Sequence, residues 1–86
     1  MAYTINNTAG TTLVTLGDGK IDTTTTDLTL IGKGYAGFGE RLNENFIKLL
    51  ENFANTSAPS NKQKGQLWYD SLNNQLNVYT GSKFKP

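Results

Sequence analysis

The stretch Leu42-Asn43-Glu44-Asn45-Phe46-Ile47-Lys48-Leu49-Leu50-Glu51-Asn52-Phe53 decides the fold class. Leu42, Phe46, Leu49 and Phe53 follow one another at spacings of 4, 3 and 4. That sets them on one side of a helix turning every ~3.6 residues. Ile47, Leu50 and Ala54 widen the apolar side. The pattern predicts an amphipathic helix over about 40–54. Glu40 and Glu44 fall in its first half, where negative charge suits the positive helix end. Glu44 and Lys48 form an i,i+4 pair worth about 0.3 kcal/mol. Asn55-Thr56-Ser57-Ala58-Pro59 closes the helix, because Pro59 disfavours helical backbone at Ala58.

Downstream, Gln66-Leu67-Trp68-Tyr69-Asp70 and Gln75-Leu76-Asn77-Val78-Tyr79-Thr80 flank Ser71-Leu72-Asn73-Asn74. Two alternating, aromatic-rich runs around an Asn-bearing turn predict a β-hairpin over about 66–80. Gly65 and Gly81 bracket it. A lone hairpin is marginal in water. Its apolar side therefore needs the helix or another chain, and Leu67, Trp68, Tyr69, Val78 and Tyr79 are the expected packing residues.

Upstream, residues 1–39 are rich in Thr and Gly and show no helical period. Tyr3-Thr4-Ile5-Asn6 and Thr11-Thr12-Leu13-Val14-Thr15-Leu16 read as short strands, since they carry β-branched residues in partial alternation. Gly17-Asp18-Gly19 is a turn. The run Thr23 to Thr26 reads as extended surface, and Asp27-Leu28-Thr29-Leu30-Ile31 as a strand ending at Gly32. The expected organisation is α+β, with an extended docking arm at 1–39 and a helix-plus-hairpin oligomerisation body at 40–86.

Composition limits what such a chain can be. Its 86 residues allow one small domain, which as a monomer would bury only about 63% of its unfolded surface. Leu, Ile, Val and Phe make up about 23% of residues, just above the ~20% line associated with disorder. With a net charge of only +1, this thin core suits a chain that completes itself against partners. There is no His and no Cys. Ser-His-Asp and Cys-His machinery, imidazole and thiolate metal sites and disulfides are thereby excluded. Eight basic against seven acidic residues make no field for nucleic acid. No apolar run approaches the ~18 residues of a spanning helix. Met1-Ala2-Tyr3-Thr4 lacks the charged-then-apolar pattern of a signal peptide.

Four constellations remain. Gly32-Lys33-Gly34-Tyr35-Ala36-Gly37 matches G-x-G-x-x-G between a strand and a helix. A dinucleotide site would need a parallel strand after the helix, where a hairpin follows, and a far larger domain. Gly32, Gly34, Gly37 and Gly39 are read instead as a structural corner. Asp18 and Asp22 bracket a Gly turn, but Lys20 stands between them and the EF-hand pattern is not met. No metal or cofactor is expected. Trp68, Tyr69 and Tyr79 suit either cross-strand packing or an aromatic platform for a glycan. The 4, 3, 4 stripe fits the seam of a short coiled coil or a helix packed on its own hairpin, and fewer than two heptads leave both open.

An ordered set of segments carries a resemblance. These are Asp27-Leu28-Thr29-Leu30-Ile31-Gly32-Lys33, Tyr35-Ala36-Gly37-Phe38-Gly39-Glu40, Asn43-Glu44-Asn45-Phe46, Leu49-Leu50-Glu51-Asn52-Phe53, Gly65-Gln66-Leu67-Trp68-Tyr69-Asp70 and Leu76-Asn77-Val78-Tyr79. Together they resemble the N-terminal region of tail-fibre and related virion structural proteins of tailed bacteriophages, particularly T4-like phages of marine bacteria and cyanobacteria. Tyr3-Thr4-Ile5-Asn6 and Gly19-Lys20-Ile21-Asp22-Thr23 extend it over nearly the whole chain. The resemblance implies a non-enzymatic homotrimer, located in the virion, that attaches a fibre to tail or baseplate proteins. Long fibres of this kind continue well past such a segment, whereas the segment by itself would be an adaptor or a minor structural component. A small capsid-decorating or neck component is the alternative within the virion, and a carbohydrate-binding module the alternative outside it. On the fibre reading Leu42, Phe46, Leu49, Leu50 and Phe53 form the oligomer interface.

Overall fold

A computed structural model describes all 86 residues. The alternating N-terminal runs pair with each other. Strands β1 (Tyr3–Asn6) and β2 (Thr12–Leu16) are antiparallel, with Tyr3 opposite Leu16 and Ile5 opposite Val14, and the register shifts between Ile5 and Asn6. The connecting loop closes on Asn7, whose Oδ1 accepts from the Thr11 amide at 2.9 Å. The Met1 ammonium meets the Asp18 carboxylate. Two-residue strands β3 (Ile21–Asp22) and β4 (Leu30–Ile31) form a second antiparallel ladder.

The threonine run between them is a loop, not the extended surface its composition predicts. Asp22 is the reason. Its Oδ1 accepts from the amides of Thr24 and Thr25 at 2.9 and 2.8 Å, and its Oδ2 from the Thr25 hydroxyl at 2.7 Å. These local bonds outcompete extended backbone. Thr26 and Thr29 are turned inside, and only Leu30 and Ile31 of the expected 27–31 strand are paired. Residues 1–39 are therefore folded back into two antiparallel pairs instead of forming an open arm.

Helix α1 runs Phe38–Leu50, starting two residues earlier and ending four earlier than the sequence predicts. Gly37, at φ 86°, turns the chain into it without a side-chain cap. Its C-terminus closes in a Schellman arrangement: the Phe53 amide donates to the Lys48 carbonyl at 2.9 Å and the Asn52 amide to the Leu49 carbonyl at 3.1 Å. Asn52 and Phe53 both hold positive φ, 54° and 55°. Asn tolerates that backbone, so the helix stops well before Pro59. The expected Glu44–Lys48 pair is not made. Glu44 faces Arg41 at 3.7 Å, and Lys48 Nζ reaches the Asp27 carbonyl at 3.4 Å.

The hairpin forms as β5 (Leu67–Asp70) and β6 (Gln75–Tyr79), and a third strand β7 (Phe84–Lys85) extends it in the order β5-β6-β7. Asp70 fixes the first turn by accepting from the Leu72 and Asn73 amides and from Asn73 Nδ2 at 2.8 Å. Residues 52–55 lie along the other edge of β5: the Tyr69 amide donates to the Asn52 carbonyl at 2.9 Å and the Ser71 amide to the Asn55 carbonyl at 3.1 Å. The chain leaving the helix thus becomes the sheet's fourth member.

The division expected at 39/40 does not coincide with a break in contacts. Asn45 of the helix binds Thr29. Asp27 accepts from the Asn61 amide at 3.0 Å and from Gln66 Nε2 at 2.9 Å. Loop, helix and sheet meet at this polar hub. The apolar core is minimal by comparison. Seven residues are buried, and Leu16 is the only large apolar one, at 4% exposure. The others named by burial are Thr26, Thr29, Asn45, Asp70 and Asn77. The radius of gyration is 14.0 Å, against about 12 Å for a compact domain of this length. The molecule is a slab of 43 × 27 × 16 Å. No helix is long and apolar enough to cross a membrane.

Candidate assembly surface

The helix docks on its own chain through a polar residue. Asn45 is 8% exposed and faces Thr29, while Lys48, one turn on, reaches Asp27. At ~100° per residue the apolar stripe lies to one side of that contact. Leu42, Phe46, Leu49 and Leu50 are all exposed, Phe46 at 55% and Leu50 at 78%. Phe38 and Ile47 are exposed with them. Four of the five expected interface residues therefore lie on one open helical surface. Phe53 lies beyond the helix end, where the backbone turns left-handed. It is half-buried and lines a groove of about 510 Å³ with Leu28, Leu30, Leu49 and Leu67.

The pleat separates the five hairpin residues into two sets. Trp68 and Tyr79 share one face with Phe84. Phe84 meets Trp68 edge-on at 5.2 Å and Tyr79 at 5.0 Å between ring centres. Trp68 Nε1 donates to the Asn55 carbonyl at 3.2 Å, and Lys62 Nζ stands 5.6 Å from the centre of the Tyr79 ring. On the opposite face Leu67 stands across from Val78, and Tyr69 across from Leu76. Leu67, Leu76 and Val78 are exposed there. Trp68, Tyr69 and Tyr79 therefore do not form one aromatic platform, because Tyr69 projects from the other side and bonds Asn74 at 3.2 Å.

The sequence reading missed Phe84 and Asn45. Gly81-Ser82 between Tyr79 and Phe84 is a hairpin signal of the two-residue kind. Gly81 holds φ 107°, with the Thr80 amide donating to the Lys83 carbonyl at 2.9 Å. Asn45 carries no such signal, since a polar residue between two apolar helix positions reads as solvated.

The glycine corner is divided in the same way. Gly32 is buried, and a Cβ there would stand 2.3 Å from the Gly17 carbonyl oxygen. Gly34 and Gly37 hold positive φ. Gly39 lies within the first turn of α1 with open space around it, so it takes no part in the corner. Of the two aspartates weighed as cation ligands, Asp18 meets the Met1 ammonium and Asp22 is occupied by its threonines. The Asp22 carboxyl is held below the usual range by the Thr25 amide first, then by the Thr25 hydroxyl and Thr24. Asp70 is held low by Asn73 Nδ2 above all, against an opposing effect of burial, with the Asn73 and Leu72 amides adding to it.

The exposed large apolar side chains, then, cluster on the helix, the groove and one sheet face, and polar side chains such as Asn45, Asp27 and Asp70 tie the elements together. Compared with known proteins, the chain matches no family model, no curated protein and no solved structure.

Proposed function

We propose that this chain is a structural attachment module of a phage tail fibre, acting as a homotrimer that anchors the fibre to tail or baseplate proteins. One observation carries the reading. A folded chain with Leu16 as its only buried large apolar side chain leaves Leu42, Phe46, Leu49 and Leu50 open on one helix face. A small domain without staples needs oligomerisation or unusually good packing, and packing is what this chain lacks. The tail-fibre resemblance along nearly the whole sequence gives that need its setting. The β1–β2 hairpin is the docking piece on this reading. Both its outer edges lack a third strand, so a tail protein can add one through backbone hydrogen bonds alone.

Gold-labelled antibody against the chain, applied to intact virions, tests the setting. Label at the tail or baseplate is the expected result. Label over the capsid would move the protein to a decorating role, and unlabelled virions would remove it from the particle. Light scattering across a dilution series tests the assembly, with a mass near three chains expected.

A further inference from the structure

An amphipathic helix and an amphipathic sheet in one small chain ordinarily bury their apolar sides against each other. This chain makes both and does not join them. Helix α1 packs chiefly on β4 and does not lie across the β5–β7 sheet. Phe46 and Leu50 stay open on the helix, and Leu67, Leu76 and Val78 stay open on the sheet. The groove lined by Leu49, Phe53 and Leu67 runs between the two. Each half of a helix-on-sheet layer is present, and each lacks its cover.

The exposed area says how large the cover must be. The chain exposes 5730 Å², roughly 700 Å² more than the ~5,000 Å² expected of a compact monomer of this mass. A stable interface takes about 800 Å² from each partner. The surplus is close to the share that one partner gives to a single contact. A second copy supplies the complementary half of each layer in equal number, and a net charge of +1 puts little repulsion between copies.

We infer that the layer closes between copies: the Phe46 and Leu50 side of one chain's helix seats on the Leu67, Leu76 and Val78 face of the next chain's sheet. This rests on the self-assembly proposed above and adds the sheet face to it. The contact joins two different patches, so it closes into a ring when the rotation between copies allows. A helix-to-helix seam along the axis is the competing geometry.

Two variants separate these geometries. Phe46→Asp spoils the helix patch and Leu76→Asp the sheet patch. Each alone weakens self-association about a hundredfold, because a carboxylate is buried without a partner. Mixed one to one, they recover a single contact and a mass of two chains, since the intact helix patch of one seats on the intact sheet patch of the other while the two spoiled patches stop further growth. Light scattering reads the masses, and circular dichroism confirms that each variant is folded. A Leu76→Asp chain that assembles like wild type overturns the sheet contact and leaves self-assembly standing. A wild-type chain that stays single at every concentration overturns both.

Because the chain has no cysteine, cross-linking gives a second readout that survives a misfolded aspartate variant. Leu50→Cys mixed with Val78→Cys gives a disulfide-linked pair under mild oxidation, and neither gives it alone. Efficient linking of Leu50→Cys to itself, or no link in the mixture, overturns the proposal.

Discussion

Asn45 and Thr29 exchange two hydrogen bonds: the Thr29 amide donates to Asn45 Oδ1 at 2.9 Å, and Asn45 Nδ2 donates to the Thr29 carbonyl at 2.7 Å. The side chain copies the donor and acceptor of a neighbouring strand. It thereby satisfies a backbone group pair at a buried site that no strand reaches. Both residues are buried, so helix and loop are joined by hydrogen bonds where most domains use apolar contact.

Asn45→Ala leaves both Thr29 groups unpaired. An unsatisfied buried group costs about 1–3 kcal/mol, and the pair is expected to cost about 2–4 kcal/mol. Urea unfolding measures it. Asn45→Asp keeps the acceptor but sets a buried carboxylate against the Thr29 carbonyl, so at neutral pH it should cost at least as much as alanine. A midpoint for Asn45→Ala equal to that of wild type would show that the clamp holds nothing.

Gly32 and Gly39 should respond to an added methyl in opposite directions. At Gly32 an added methyl meets the Gly17 carbonyl at 2.3 Å and the Lys20 carbonyl at 2.8 Å, both backbone. Both carbonyls are tied down: that of Lys20 accepts from the Gly32 amide at 2.7 Å, and that of Gly17 from the Lys20 amide at 3.2 Å. Gly32→Ala should cost more than about 2 kcal/mol, as overpacked interiors do. Gly39→Ala meets nothing within 4 Å and sits in the helix, so it should stabilise by up to about 1 kcal/mol. Thermal melts of the two variants give the comparison, and equal effects would remove the case for Gly32 as a packed position.

Acid should loosen the turns before it touches the apolar surfaces. Asp22 and Asp70 both titrate below the ordinary aspartate value when folded. The unfolded chain therefore binds protons more readily than the folded one. Stability from these groups is fully present above the unfolded value of about 3.9 and is lost as pH falls below it through the lower folded values. Unfolding midpoints should be level above about pH 5 and decline below about pH 4. Asp70→Asn removes one titrating group, so its decline should be shallower. An unchanged slope would separate Asp70 from the acid response.

The 4, 3, 4 spacing revealed α1, and period-two alternation revealed the strands of both long hairpins. Those signals are repeated over many residues. The helix end at Leu50 rests on the left-handed backbone of Asn52 and Phe53, a local choice with no repeat behind it. The threonine loop follows from one carboxylate, Asp22, whose three bonds override the extended preference of the residues after it. For the assembly surface, Leu42, Phe46, Leu49 and Leu50 were readable as a stripe. That they remain uncovered was not, because the docking residue is Asn45 and hydrophobic patterning is blind to it. Phe53 lies past the helix for the same reason that the helix ended early.

Strand β7 gives a last test of how the sheet holds. Phe84 is the only large apolar residue of that strand, and it touches both Trp68 and Tyr79. Each aromatic pair is worth about 0.5–1.5 kcal/mol beyond its buried area. Phe84→Ala should therefore lower stability by about 1–3 kcal/mol and free the β6–β7 edge. The single tryptophan makes the local effect visible. With the edge-on ring gone, one side of Trp68 meets water, and its emission should shift to longer wavelength. Phe84→Leu should keep part of the stability and little of the spectral protection, since it fills space without an aromatic edge. If Phe84→Ala leaves both emission and stability unchanged, β7 is not a working part of the sheet.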